Sequence, residues 1–223
     1  MRALPFIGLL VSLAASPLAL ALLKRLRFES WALVPRLALW LAAVVVVAIA
    51  AAEVGDWHAH LGFAWPAWEG VGWAVFVAVV VFATFGVSLK VQRKSGRQPQ
   101  DQSAQYQALL NLPFGHRCFI VMTAAVTEEV LYRAYAVGVG QFLLGSVWAA
   151  CVVSVAAFTL AHYKWGTAHM VSVLVPAVAF TLLFVLTRNV WLCIIAHAIV
   201  DGAGFLVMPA VARRRTQLQQ KTG

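Results

Sequence analysis

Seven long apolar runs, separated by shorter polar segments, account for most of this 223-residue chain. Such runs predict membrane-spanning helices, because a helix needs about 20 apolar residues to cross the hydrocarbon core of a bilayer. The alternation of apolar and polar positions that would indicate strands is not found. The sequence therefore predicts an all-α, polytopic membrane helical bundle of about seven transmembrane helices, at residues 3–23, 31–52, 70–89, 116–139, 144–163, 167–187 and 190–211.

The composition supports this interpretation, since 62% of the residues are hydrophobic and only 11% are charged. Soluble domains carry roughly 45–50% apolar and 25% charged residues, so a soluble globular protein is excluded. The net charge of +9 does not indicate nucleic-acid binding, because Lys and Arg cluster at the ends of the apolar runs. The three cysteines lie within apolar runs and lack disulfide or zinc spacing, so we expect small buried side chains.

Basic residues cluster after the first, third and seventh apolar runs. If the runs alternate in direction, these clusters fall on one side of the membrane, which the positive-inside rule makes the cytoplasmic side. We therefore predict a multi-pass membrane protein with its N-terminus outside and its C-terminus in the cytoplasm. The location that we expect together with the family resemblance given below is the cell (inner) membrane of a bacterium or archaeon. The lipid bilayer is the expected surrounding, and no nucleic acid is expected as a partner.

Apart from residues near the ends of the runs, strongly polar side chains occur only in the last four apolar runs. This asymmetry predicts a supporting half and a functional half. We expect residues 1–113 to form supporting transmembrane helices with a cytoplasmic linker, residues 114–211 to form a catalytic helical core, and residues 212–223 to form a basic cytoplasmic tail. The polar residues of the core are Glu128, Glu129, Arg133, His162, His197 and Asp201.

Two adjacent carboxylates and a guanidinium stand in the fourth run, at Glu128, Glu129 and Arg133. Each charge at the centre of a membrane helix costs roughly 2.5–3.5 kcal/mol or more, so three of them in one run indicate a function. Glu129 and Arg133 are four residues apart and share a helix face, which predicts a structural ion pair. Glu128 is rotated by about 100° from Glu129, so its carboxylate is available for other chemistry.

Further polar residues stand on later runs. His197 and Asp201 are four residues apart and share a helix face, while His162 lies at the end of the fifth run. Because charged groups avoid lipid, we expect these faces to converge with Glu128 in one buried pocket. Carboxylates and imidazoles in a partly dry cavity are the components of water activation and of oxyanion stabilisation.

Each of these residues also has a simpler interpretation. His162 alone would be an interfacial histidine, and His197 with Asp201 would be a helix-stabilising pair or a proton relay. Together with the free carboxylate, they fit a hydrolytic site better than separate coincidences. The remaining histidines lie outside the pattern and are predicted to be surface or boundary residues: His58, His60, His116 and His169.

Three motifs follow one another on membrane runs: Glu128-Glu129-Val-Leu-Tyr-Arg133, Phe158-Thr-Leu-Ala-His162 and His197-Ala-Ile-Val-Asp201. Motifs of the form Glu-Glu-x3-Arg, Phe-x3-His and His-x3-Asn/Asp in this order resemble the CPBP family of CAAX proteases and bacteriocin-processing enzymes, also called Abi proteins. The resemblance covers residues 114–205. It implies a glutamic-type intramembrane endopeptidase with a membrane-anchored protein or peptide as its substrate.

The resemblance also implies a role for each matched residue. Glu128 would activate the hydrolytic water together with His162, while His197 and Asp201 would stabilise the oxyanion. The neighbouring Glu-Arg pair would be structural, in agreement with the helix-face argument. The sequence departs from the prenyl-processing branch of the family at Asp201, where that branch has Asn. An ionised Asp would repel an oxyanion, so Asp201 must be protonated, orient His197 or serve otherwise.

The sequence predicts no cofactor, with zinc as the alternative, since two histidines and carboxylates could also hold that ion. The HExxH motif of many zinc proteases is absent, and a paired Glu and His can activate water without a metal. The depth of the site is a second open point. The predicted spans put Glu128 and Asp201 near the middle of the membrane but His162 close to the cytoplasmic boundary.

Two other functions stay open at this level. A non-catalytic immunity factor or scaffold would keep the fold without cleaving a peptide. A proton-coupled transporter would use the polar residues as a relay, although the inverted repeat typical of many transporters is not evident. The sequence does not identify a substrate: CAAX-like tails, bacteriocin leaders, sorting tails and transmembrane anchors all remain candidates.

Overall fold

A computed structural model describes residues 3–25, 33–94, 108–163, 167–207 and 210. Within these residues every regular element is helical, which confirms the all-α prediction. In chain order the elements are α1 (Ala3–Arg25), α2 (Leu33–Glu53), α3 (Trp57–His60), α4 (Trp68–Lys94), α5 (Phe114–Glu128), a π-helical segment (Glu129–Val139), α6 (Gly140–Leu143), α7 (Val147–Ala161), α8 (Thr167–Thr187), α9 (Val190–Gly202) and a π-helical turn (Ala203–Val207).

The helical bundle is that of a multi-pass membrane protein. The predicted fourth span has an unusual construction, because α5 continues directly into the π-helical segment and then into α6. α1 and α7 contribute shorter apolar stretches, Ala3–Ala19 and Val147–Ala161. In the part of the chain that the structure describes, four helices are long and apolar enough to cross a membrane: Leu33–Glu53, Trp68–Val87, His169–Thr187 and Val190–Val207.

The peripheral helices turn large apolar side chains away from the bundle. On α2, for example, Leu41 is 65% exposed and Val44 is 61% exposed. A contiguous apolar surface of this kind would promote aggregation in water, but it is the surface that lipid requires.

The π-helical segment lies at the centre of the bundle, and all of its residues are buried. It contacts α1, α2, α3, α7, α8 and α9, in addition to α5 and α6, with which it is continuous. Close approach requires small residues, since a Cβ atom at Gly138 would collide with the carbonyl oxygen of His60 in α3. π-helical turns are rare and often occur at functional sites. Here the segment begins directly after Glu128.

The connection between α2 and α4 fixes the start of α9. The backbone N–H of Val190 donates to the carbonyl oxygen of Gly62 at 2.9 Å, and Asn189 Nδ2 donates to the carbonyl oxygen of Ala64 at 2.6 Å. Gly62 has a φ of +73°, a conformation that favours glycine. These contacts hold the helix that carries the third motif.

The predicted membrane orientation depends mainly on basic clusters whose side chains lie outside the described residues. They include Arg27, the central part of the linker at 95–107 and the tail at 211–223. The orientation and the three-part division of the chain therefore stay predictions.

Candidate active site

The Glu-Glu-Arg motif stands at the junction between α5 and the π-helical segment. Arg133 Nη1 donates to Glu129 Oε1 at 2.9 Å, and both side chains are fully buried. Arg133 Nη2 donates to the carbonyl oxygen of Ala177 on α8 at 3.2 Å. The guanidinium carbon also lies 4.5 Å from the ring centroid of Phe158 on α7. The ion pair therefore ties the π-helical segment to two neighbouring helices.

Glu129 has a second partner, His197 on α9. His197 Nδ1 lies 2.7 Å from Glu129 Oε1, and because an ionised carboxylate only accepts hydrogen bonds, Nδ1 carries the proton. On the other side of the ring, His197 Nε2 lies 3.5 Å from Asp201 Oδ2. The helix-face argument treated the two charged pairs as separate, whereas the structure joins them through Glu129. That argument considers one helix at a time and contains no information about the packing of α9.

Glu128 has a different environment from its neighbour Glu129. It is half-buried, while Glu129 is fully buried. Glu128 interacts electrostatically with His197, His162 and Asp201, which stand on α7 and α9. The four side chains that the sequence predicts to be catalytic thus lie in one cluster, while Arg133 pairs with Glu129.

His162 caps the C-terminal end of α7. Its Nδ1 lies 2.8 Å from the carbonyl oxygen of Phe158, and since a carbonyl only accepts hydrogen bonds, Nδ1 is the donor. A neutral His162 then keeps its lone pair on Nε2, which is the nitrogen able to take a proton. The ring also packs on Phe158, with the two centroids 4.9 Å apart.

The length of α7 explains how His162 reaches Glu128. The helix has 15 residues. At about 1.5 Å per residue it spans roughly 22 Å, which is less than the ~30 Å of the hydrocarbon core. The predicted span at 144–163 treated this helix as longer and therefore put its histidine near the membrane boundary. The shorter helix leaves its capping histidine inside the bundle.

His169 also belongs to this cluster, although the sequence pattern placed it outside. Its ring centroid lies 5.6 Å from that of His162, and it interacts electrostatically with both His162 and Asp201. His169 stands in the first turn of α8. The signal in the sequence is weak: a second histidine follows His162 after seven positions, at the start of the next apolar run.

A metal site would need three or more suitable donors at one point. Among the described residues, no group of three or more His, Cys, Asp or Glu side chains is arranged so that it could hold a metal ion. Glu129 and Asp201 instead lie against the two ring nitrogens of His197, and His162 lies against a backbone carbonyl group. We therefore derive no step through zinc.

The fold and this cluster define a class: a multi-pass membrane protein with carboxylates and histidines gathered inside a helical bundle. Residues 109–203 match the family model described as type II CAAX prenyl endopeptidase Rce1-like. All three motifs lie within this match, which covers less than half of the chain and confirms the family resemblance. The match supports a protease in general terms. Comparisons with curated proteins and with solved structures gave no match.

Proposed function

We propose that this protein is an intramembrane endopeptidase that hydrolyses a peptide bond of a membrane-associated protein or peptide. One observation carries the proposal: Glu128, His162 and His197 come from three helices and converge inside the bundle. They do so in the region that matches a CAAX endopeptidase family. A membrane protein keeps such groups in its interior where they serve a function.

In the proposed reaction, Glu128 and His162 activate a water molecule. The water oxygen bonds to the scissile carbonyl carbon while its proton passes to the Glu128 carboxylate or to His162 Nε2. Collapse of the tetrahedral intermediate breaks the C–N bond. The same proton then passes to the leaving nitrogen, so the reaction consumes one water and needs no other reactant.

His197 and Asp201 face the developing oxyanion in this proposal. Asp201 is compatible with oxyanion stabilisation when it carries the proton that lies between it and His197 Nε2, because a neutral carboxylic acid can donate a hydrogen bond and does not repel the oxyanion. The hydrogen bond from His197 Nδ1 to Glu129 fixes the orientation of the ring. Arg133 and Glu129 therefore act as positioning residues through His197, in addition to forming the ion pair.

The proposed orientation in the membrane determines the side from which the substrate enters. With the N-terminus outside and the C-terminus in the cytoplasm of a bacterial or archaeal cell, the His162 end of α7 faces the cytoplasmic side. The substrate then enters from the cytoplasm. Its class is a protein or peptide held at the membrane.

The test begins with mass spectrometry of membrane peptides from cells that contain the wild-type protein or the His162→Ala variant. A peptide cleaved only by the wild type then becomes the substrate for purified protein in liposomes. We expect His162→Ala to lower kcat by at least roughly 100-fold, the usual contribution of a general base. His116→Ala is the matched control, because His116 is exposed at the start of α5. Identical peptide patterns for wild type and variant would instead favour a non-catalytic scaffold.

His169→Gln gives a graded version of the same test. We expect kcat to fall roughly fivefold, since the variant loses one ring contact of about 1 kcal/mol to His162, while KM stays near the wild-type value. The measurement is the liposome assay, with His116→Gln as the control. Wild-type kcat in His169→Gln would show that the contact between the two rings plays no part in the reaction.

A further inference from the structure

Helix α1 lies outside the matched region, yet one of its faces contacts the π-helical segment along its length. The face carries Pro5, Gly8, Ser12 and Ser16, which are spaced by three, four and four residues. Such spacing puts side chains on one side of a helix. At the N-terminal end of this face, the Tyr135 hydroxyl donates to the carbonyl oxygen of Pro5 at 3.1 Å.

Ser12 makes an interhelical hydrogen bond at the middle of this face. It is fully buried, and its hydroxyl donates to the carbonyl oxygen of Leu131 in the π-helical segment. A serine or threonine in a membrane helix commonly satisfies its hydroxyl within its own helix, as Thr127 does by donating to the carbonyl oxygen of Thr123. Ser12 instead reaches a backbone group three residues after Glu128.

A second serine, on a different helix, reaches the next carbonyl group. Ser154 on α7 donates from its hydroxyl to the carbonyl oxygen of Tyr132 at 2.6 Å. Two successive carbonyl groups in the first turn of the π-helical segment therefore accept hydrogen bonds from two different helices. In the interior of a bilayer, these donors fix the backbone directly after Glu128.

Ser16 contacts the side chain of the same residue. The hydroxyl group of Ser16 interacts with that of Tyr132, but the two do not form a hydrogen bond of ordinary geometry, and neither oxygen has a hydrogen-bond partner within the described part of the chain. Because hydroxyl hydrogens rotate freely, a small movement of either side chain would pair these two buried groups. Tyr132 is 1% exposed and interacts electrostatically with Glu128, which stands four residues earlier. Tyr132 therefore stands between Ser16 of α1 and the Glu128 carboxylate, and interacts with both.

We propose that Ser12 and Ser16 of α1 are positioning residues of the hydrolytic site, an inference that rests on the proposed protease function. Ser12 holds the backbone of the π-helical segment through Leu131, and Ser16 holds the Tyr132 side chain beside Glu128. Neither serine touches the substrate. Helix α1 then positions the catalytic carboxylate and is not only a support for the bundle.

The experiment compares Ser12→Ala and Ser16→Ala with Tyr135→Phe, all in the full-length protein in liposomes. Tyr135→Phe is the matched control, because it also removes a buried hydrogen bond between α1 and the π-helical segment, but seven residues after Glu128. Two quantities are measured besides the melting temperature. One is kcat and KM for cleavage, and the other is the rate at which a carbodiimide labels Glu128, detected by mass spectrometry.

We expect Ser12→Ala to lower kcat by roughly tenfold, because one buried hydrogen bond is lost, with KM changed less than about twofold. Ser16→Ala should lower kcat by a similar factor, because the hydroxyl group that interacts with Tyr132 is lost. The rate of Glu128 labelling should change by at least about threefold. This is the change expected when the carboxylate is less firmly held, by a free energy of about half that of one buried hydrogen bond. Tyr135→Phe should lower the melting temperature as much as either serine variant and leave kcat and labelling unchanged. Ser16→Thr, which keeps a hydroxyl, should restore kcat.

The proposal is overturned if both serine variants match Tyr135→Phe in kcat and in Glu128 labelling. It is also overturned if Ser16→Ala, the more exposed of the two positions, folds and cleaves as the wild type does. A wild-type protein that cleaves no peptide would sink the proposed function instead. In that case the Glu128 labelling rates alone still decide whether α1 positions this carboxylate.

Discussion

Glu128→Gln should abolish peptide cleavage while the protein still folds. The variant keeps the size and the hydrogen-bonding capacity of the side chain but removes the carboxylate that takes the proton from water. General-base catalysis contributes roughly 10²–10⁴-fold, so we expect kcat to fall by about 10³-fold or more. Because Glu128 is half-buried and Arg133 pairs with Glu129, no buried cation loses its partner. The melting temperature should therefore change little.

The measurement is single-turnover cleavage in liposomes at saturating enzyme, which separates the chemical step from substrate binding. Glu69→Gln is the control, since Glu69 is exposed in the first turn of α4. A Glu128→Gln protein that cleaves at even a tenth of the wild-type rate would require a different base.

The order of the motifs and the spacing within each motif carried most of the information about the site. The contact between Glu129 and Arg133 depends on a spacing of four residues, which a helix converts directly into proximity. The approach of Glu128 to His162 depends on the packing of two different helices and on the length of α7, which begins three residues later and ends two residues earlier than the predicted span at 144–163. The pattern of apolar residues within one run does not contain this information.

Contacts between distant helices were harder to predict. Ser12 and Leu131 are 119 positions apart, and Glu129 and His197 are 68 positions apart. Serine is common in membrane helices and usually bonds within its own helix, so its presence on α1 gave no signal. The π-helical geometry sets the direction of the side chains after Glu128. It belongs to a segment that packs against elements from the whole described chain, and it has no residue signature of its own.

Arg133→Met should destabilise the protein more than any surface substitution. The Arg133 guanidinium pairs with Glu129, donates to Ala177 and lies over the ring of Phe158. Its removal leaves the fully buried Glu129 carboxylate with His197 alone. Breaking a buried ion pair costs about 3–5 kcal/mol. For a chain of this size, that loss lowers the melting temperature by roughly 10 °C.

Two buried thiols provide the measurement, because Cys151 and Cys193 react with a fluorogenic maleimide only when the bundle opens. Arg188→Met is the matched control. Arg188 is exposed and binds Gln141 Oε1 at 3.2 Å, so its loss should cost less than about 1 kcal/mol. Equal melting temperatures for the two variants would contradict a buried ion pair at the centre of the bundle.

The double variant Glu129→Gln/Arg133→Met distinguishes two causes of the instability expected for Arg133→Met, the unpaired Glu129 carboxylate and the lost packing of the Arg133 side chain. If the instability of Arg133→Met comes from the uncompensated carboxylate, neutralising Glu129 should recover part of the melting temperature, and the two substitutions will not be additive. Cleavage should not recover with it, because Glu129 also orients His197 through the 2.7 Å hydrogen bond. Recovery of both stability and kcat would show that the Glu129 carboxylate serves only the ion pair.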